Sequence, residues 1–260
     1  MYIVDAFTEP PFAGNPAGVV LLDEPFDDIR RQAVAAELRH SETAFLEPAG
    51  RGAWHLRWFT PTVEVNLCGH ATLASAHVLW ESGRLAAGTP ARFRTRSGDL
   101  AAARLADGRI ELDLPVDRVR PVTPPAGLAA ALGCEPVFVG SGAQDLLVEL
   151  ASEADVRALA PDQAWLAANL PDGLIATAAA DVPGAAIVSR YFCPAAGIAE
   201  DPATGSAHCA LAVYWAPRLG PSFRAFQVSD RGGVLDVTLR GERVGVAGRA
   251  VTRVEGTLHL

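Results

Sequence analysis

Arg57-Trp58-Phe59-Thr60-Pro61 recurs later in the chain as Arg190-Tyr191-Phe192-Cys193-Pro194. Internal repeats decide architecture before any other signal is weighed. Working outward, Gly69-His70-Ala71 has a counterpart in Gly205-Ser206-Ala207, and Gly98-Asp99-Leu100 in Gly233-Val234-Leu235. The matches keep their order and a nearly constant spacing. Each alone is weak, being Gly- and Ala-rich or short. Together they describe a fold made of two similar halves.

Each half also shows one order of elements. In the first, strand-like pieces cover Tyr2 to Ala6, Gly18 to Leu22, Glu42 to Glu47 and Trp54 to Phe59. An amphipathic helix over Asp27 to Leu38 lies among them. A helix from His70 to Ser82 follows, stopped by Gly83. A hairpin of Ala91 to Thr95 and Leu100 to Leu114 turns at Asp107-Gly108.

The helix after the repeated turn is the informative one. From Ala71 to Leu79 its only ionisable side chain is His77, and Ala207 to Val213 carries only His208 and a thiol. A helix apolar on every side is buried on every side. A curved sheet wrapped around one helix does this, and small residues such as Ala71, Ala74 and Ser75 let the sheet come close. The expectation is an α+β fold: two pseudo-equivalent halves, each a curved mixed β-sheet around a central buried helix. The halves would be 1–117, with a tail 249–260 returning to it, and 118–248, with the active site in the cleft between them.

Bulk composition narrows the function. The 260 residues are 50% hydrophobic and carry a net charge of −8, which speaks against nucleic-acid binding but not against a small anion held in a locally positive site. The opening Met1-Tyr2-Ile3-Val4-Asp5-Ala6-Phe7 lacks a basic n-region, and no apolar run reaches a membrane span. A soluble, cytoplasmic protein without nucleic-acid or membrane partners is expected. Cys68, Cys134, Cys193 and Cys209 form no C-x-x-C pair and read as free thiols. All 22 basic residues are arginine. There is therefore no Schiff-base lysine and no P-loop lysine, and the Gly-rich dinucleotide, serine-hydrolase and zinc-protease motifs are absent too.

Both buried helices begin at Gly-rich turns, Cys68-Gly69-His70 and Thr204-Gly205-Ser206. A helix start offers unpaired N–H groups and the positive end of the macrodipole. That suits a carboxylate or another small oxyanion without any lysine. Such turns also simply end loops. Glu42 opens a strand directly after a helix, which is compatible with an acid/base in a cleft or with a plain surface charge. Asp201-Pro202 is equally the pattern of a helix-capping aspartate with proline at the first helical position. Cys68, His70, His208 and Cys209 match no standard zinc spacing, so no metal is expected.

Several stretches resemble the PhzF-like family of phenazine biosynthesis. They are Val4-Asp5-Ala6-Phe7-Thr8 with Phe12-Ala13-Gly14-Asn15-Pro16-Ala17, Ser41-Glu42-Thr43-Ala44-Phe45, Cys68-Gly69-His70-Ala71-Thr72, Gly197 through His208, and Ser229-Asp230-Arg231-Gly232-Gly233. They span nearly the whole chain in order. The resemblance implies the diaminopimelate-epimerase-like fold, a homodimer, and a cofactor-independent isomerase acting on a small carboxylated substrate of the dihydro-hydroxyanthranilate type. It assigns catalysis to Glu42, His70 and Asp201, and substrate binding to Gly69, Thr72, Gly205 and Ser206, with His208 in support. Diaminopimelate epimerase, which this fold resembles, uses two thiols. Here Cys68 stands at the first helix start but Pro202 at the place matched to it, so one thiol remains. A racemase or epimerase pairing Glu42 or Cys68 with Asp201, or a non-catalytic small-molecule binder of the same fold, are the competing expectations.

Overall fold

The computed structural model describes residues 1–24, 26–143 and 145–259. The chain forms two compact units, Met1–Leu114 with Val246–Leu260, and Pro115–Gly245. Both boundaries lie slightly before those expected at 117 and 249. The return to the first unit comes early because strand Arg243–Gly248 carries Val246 and Ala247 into that unit's interior, where both are buried. Of the returning tail, Leu260 lies outside the described residues.

The first unit runs β1 (Tyr2–Ala6), β2 (Asn15–Leu21), α1 (Asp28–Leu38), β3 (Glu42–Gly50), β4 (Ala53–Phe59), β5 (Glu64–Val65), α2 (Gly69–Glu81), β6 (Ala91–Thr95), β7 (Gly98–Arg104) and β8 (Ile110–Pro115). The residues expected as one strand from Leu100 to Leu114 are two, because Asp107-Gly108 turns β7 into β8 rather than β6 into β7. β2 starts at Asn15, three residues before the expected Gly18, since Asn15 and Pro16 already pair with Ala6 and Asp5. Asp27 caps α1 by accepting from the N–H of Arg30. The inner face of α1 seats Val34 and Ala35 against Val20, Phe45 and Phe59.

The second unit runs β9 (Arg120–Pro121), α3 (Leu128–Leu132), β10 (Phe138–Ser141), β11 (Leu146–Glu149), α4 (Glu153–Ala158), α5 (Gln163–Asn169), β12 (Leu174–Ala179), β13 (Ile187–Cys193), β14 (Ile198–Asp201), α6 (Ala207–Leu219), β15 (Ser222–Gln227), β16 (Gly233–Arg240) and β17 (Arg243–Gly248). β17 runs into the first unit from Val246, and in that unit the last strand, β18 (Ala250–Glu255), pairs antiparallel with β1.

The repeat read from sequence is a repeat of topology. In the first unit β2 lies parallel to β3, β3 antiparallel to β4, β4 parallel to β6 across α2, and β6 antiparallel to β7. In the second, β11, β12, β13, β15 and β16 are joined in the same senses, with α6 as the crossover. Even the conspicuous arginines repeat their work. Arg57 on β4 grips Glu64 on β5 with two bonds of 2.7 Å, and Arg190 on β13 grips Glu200 on β14 with two more of 2.7 Å. Each guanidinium also lies over a phenylalanine two residues on, Phe59 at 5.2 Å and Phe192 at 4.9 Å. Such planar two-point pairing holds a short strand to its neighbour. These residues brace the repeated turn.

Every residue of α2 from Gly69 to Trp80 is buried, and the helix touches β1, β2, β3, β7 and β18. Two of its polar side chains bond backbone carbonyls: Ser75 donates to that of Ala71 at 2.7 Å, and the Trp80 indole to that of Thr89 at 2.9 Å. The fold is α+β. No helix among the described residues is long and apolar enough to cross a membrane.

Candidate active site

In the first unit three chain segments meet at the start of α2. β3 contributes Glu42, its first residue, set opposite Ala17 by the parallel pairing with β2. α2 contributes His70 in its first turn, after the N-cap Cys68. β2 contributes Asn15, reached through Gly14 at φ 65°. A Cβ on Gly14 would lie 2.2 Å from the carbonyl oxygen of Ala6, so only glycine fits this bend.

Glu42 Oε2 lies 3.3 Å from His70 Nε2, with the carboxylate side chain 12% exposed and the imidazole 4%. The other ring nitrogen, Nδ1, is 3.0 Å from Asn15 Nδ2. An amide nitrogen only donates, so Nδ1 accepts and the ring proton sits on Nε2, facing Glu42. Ser41 holds Asn15 in turn, donating from Oγ to Oδ1 at 3.2 Å. Burial drives the His70 imidazolium down to about 3, and the charge of His40 adds to this, so the ring is neutral at physiological pH. Cys68 Sγ sits 3.5 Å from His70 Nδ1 and 3.9 Å from Nε2. Glu42, Cys68 and His70 each offer a possible ligand atom, all within 4.8 Å of one another.

Gly69 and Thr72 complete this helix start. Thr72 is buried and gives its hydroxyl hydrogen to the carbonyl of Cys68 at 2.5 Å, which shapes the turn. Asn15 was not singled out by the sequence as a site residue. The signal was present: a polar residue after a glycine, inside a quoted motif, ahead of an otherwise apolar strand.

The second unit gathers the remaining expected residues. Asp201 ends β14 and is 5% exposed. The capping alternative for it fails, because α6 begins at Ala207 with Ser206 as its N-cap. Instead Asp201 anchors a tight turn: its carboxylate accepts from the Thr204 hydroxyl, and Gln227 donates to its backbone carbonyl at 2.7 Å while accepting from the Thr204 N–H at 2.8 Å. Ser206 makes no side-chain cap bond. Gly205 accepts the N–H of His208 at 3.2 Å. His208 donates from Nδ1 to the carbonyl of Thr204 at 2.7 Å, and burial lowers its pKa to about 4. It acts on the frame of the turn.

Elsewhere in the first unit a cavity of about 570 Å³ is lined by Glu9, His77, Arg104 and Arg249 among others. It shares no residue with the cluster at the start of α2, and its Arg249 is already paired with Glu9 at 2.6 Å.

A duplicated α+β fold with a carboxyl group against a neutral imidazole at a buried helix start defines the class of protein. Residues 4–256 match the family model described as phenazine biosynthesis-like protein. An uncharacterized isomerase of Halalkalibacterium halodurans is 45% identical, with 100% of this chain and 98% of that protein covered. A PhzF-family phenazine biosynthesis protein of Enterococcus faecalis superposes with a TM-score of 0.93 at 39% identity, covering 100% of this chain and 98% of that one. A predicted epimerase of Pseudomonas aeruginosa does so at 0.78 and 25% identity, covering 99% and 98%. The chain belongs to the phenazine biosynthesis-like (PhzF) family, and it is an isomerase.

Proposed function

We propose that the chain shifts a proton within a small carboxylated metabolite of the dihydro-hydroxyanthranilate type, with Glu42 as the single acid/base. The observation that carries this reading is the 3.3 Å approach of Glu42 to a neutral, tautomer-fixed His70. A carboxylate there takes a proton from one substrate carbon and returns it to another on the same face, and the proton balance closes without a cofactor. His70 Nε2–H donates either to the carboxylate or to a substrate oxygen. The first turn of α2, opening at Gly69, favours an anionic group on the substrate. Asp201, Gly205 and Ser206 enter the same proposal as substrate-contacting residues, with Asp201 accepting from a substrate amino or hydroxyl group. A cytoplasmic homodimer is part of the reading.

Racemisation that pairs Glu42 with Cys68, as distinct from either one with Asp201, fits less well. Two bases that flank one carbon stand about 3–3.5 Å from it on opposite sides, so roughly 6–7 Å apart. The ligand atoms of Glu42 and Cys68 lie within 4.8 Å.

Glu42→Gln is expected to keep ligand affinity and lose about 10²–10⁴ in turnover across a panel of carboxylated cyclic dienes run in D₂O. Deuterium should enter at the carbon that gains the proton as a double bond moves. Inversion at one carbon with no double-bond shift would replace this reading by epimerisation. Full activity in Glu42→Gln would end it.

A further inference from the structure

We propose that Glu42, Cys68 and His70 form a site for one zinc-like divalent cation, and that the loaded protein is an inactive state. Sequence spacing offers no such site, because the ligands come from the start of β3 and the start of α2 and only the fold joins them.

The nitrogen–oxygen distance suits the ion, and the thiol stands close by. Zinc binds imidazole nitrogen at about 2.0–2.1 Å, carboxylate oxygen at about 2.0–2.2 Å and thiolate sulfur at about 2.3 Å in tetrahedral array. Those lengths put nitrogen and oxygen about 3.3 Å apart and nitrogen and sulfur about 3.6 Å apart. Here His70 Nε2 is 3.3 Å from Glu42 Oε2 and 3.9 Å from Cys68 Sγ. Cys68 Sγ also lies 3.5 Å from Nδ1. An ion on Nε2 holds sulfur about 4.6 Å or more from that atom, so loading swings the thiol by more than about an ångström toward Glu42.

The chemistry suits it as well. One nitrogen, one sulfur and one oxygen select zinc-like ions over magnesium or calcium. A thiolate and a carboxylate cancel the double positive charge, which a buried site requires. Binding expels one proton from the Cys68 thiol to solvent. The ring then coordinates through Nε2 and carries its proton on Nδ1. Turning over the Asn15 amide presents Oδ1 to that proton and Nδ2 to Ser41 Oγ, so the same two partners orient the ring in both states. Three protein ligands leave the fourth position to water, the pattern of an exchangeable ion rather than a structural one. That loading blocks turnover rests on the proton-transfer reading above, since the metal occupies the carboxylate assigned to it.

Cobalt(II) is the probe. Titrated into the metal-free full chain, it should bind at one equivalent with a tetrahedral visible spectrum, a thiolate-to-cobalt charge-transfer band in the near ultraviolet, and release by zinc. Cys68→Ser should abolish the band and weaken binding by at least about tenfold, the lower range for losing even an outer partner. Glu42→Gln should keep the band and weaken binding similarly, which holds the test open if Cys68→Ser fails to fold. Cys134→Ser should change nothing. Absence of the band in the wild type, its survival in Cys68→Ser, or unchanged affinity in Glu42→Gln overturns the site. These spectra need no substrate, so they stand or fall apart from the catalytic reading. Turnover should drop when one equivalent of zinc is added and return with a chelator. Unchanged turnover of the loaded protein overturns the inactive state.

Discussion

Asn15 donates to Nδ1 of His70 at 3.0 Å, and that bond turns the protonated Nε2 of the ring toward Glu42. The arrangement depends on a glycine bend before β2, on the parallel pairing of β2 with β3, and on the first turn of α2. A bond between the first residue of one strand and the first turn of a helix thus orients a third element's carboxyl neighbour.

Asn15→Leu should release the ring. Nitrogen NMR of labelled histidine should show a single Nε2-protonated tautomer for His70 in the wild type and a mixture in the variant. Losing one positioning bond of about 1.4 kcal/mol corresponds to roughly tenfold in rate. A single unchanged tautomer in Asn15→Leu would remove Asn15 from this role.

Two buried neutral histidines make stability sensitive to acid. The folded pKa values, about 3 for His70 and about 4 for His208, lie below the usual 6.5 because burial disfavours the charged ring. A depressed folded pKa contributes stability that is present above the unfolded value and is lost as pH falls toward the folded one. Each such histidine removes about 1.4 kcal/mol per pH unit between roughly 6 and 4. His208→Asn keeps a donor for the Thr204 carbonyl and should flatten the decline, read as urea melts at pH 7 and pH 5. An identical slope in the variant would contradict the assignment.

Asp145 works in the opposite sense. It is 8% exposed, and burial raises its carboxyl to about 6, against the pull of the Tyr191 hydroxyl, which donates to Oδ1 at 2.9 Å. A raised folded pKa favours folding at low pH and loses that contribution as pH climbs through 6. Asp145→Asn preserves the acceptor for Tyr191 and should stabilise the protein by roughly 1–3 kcal/mol above pH 6, with little gain at pH 4. Thermal melts across that range decide it.

Gly14→Ala combines a left-handed φ with a collision against backbone, so the neighbour has no freedom to yield. A loss of about 3 kcal/mol or more is expected. Gly50→Ala shares the positive φ but meets nothing within 4 Å, and should cost about 1 kcal/mol. Comparable melting temperatures for the two variants would refute the steric account.

Much of the architecture was legible because it is written in local pattern. The uncharged stretch of α2 announces a helix without a solvent face, and burial from Gly69 to Trp80 follows from that. The repeated Arg-aromatic-Phe turns mark equivalent strand ends, although their service as clamps on Glu64 and Glu200 needed coordinates. Asp201 shows the limit. Asp-Pro suits a helix cap as well as a strand-end turn, and a partner 26 residues away, Gln227, helps hold the second arrangement.

The sequence by itself determined that this chain is duplicated, that each half encloses a helix, and which family motifs it carries, because periodicity and repetition need no knowledge of distant neighbours. Tertiary structure alone decided what stands beside Glu42. The meeting of Asn15, Glu42, Cys68 and His70 follows from strand register and one glycine bend, and a shift of one residue in the β2–β3 pairing would turn Glu42 to the other face of the sheet.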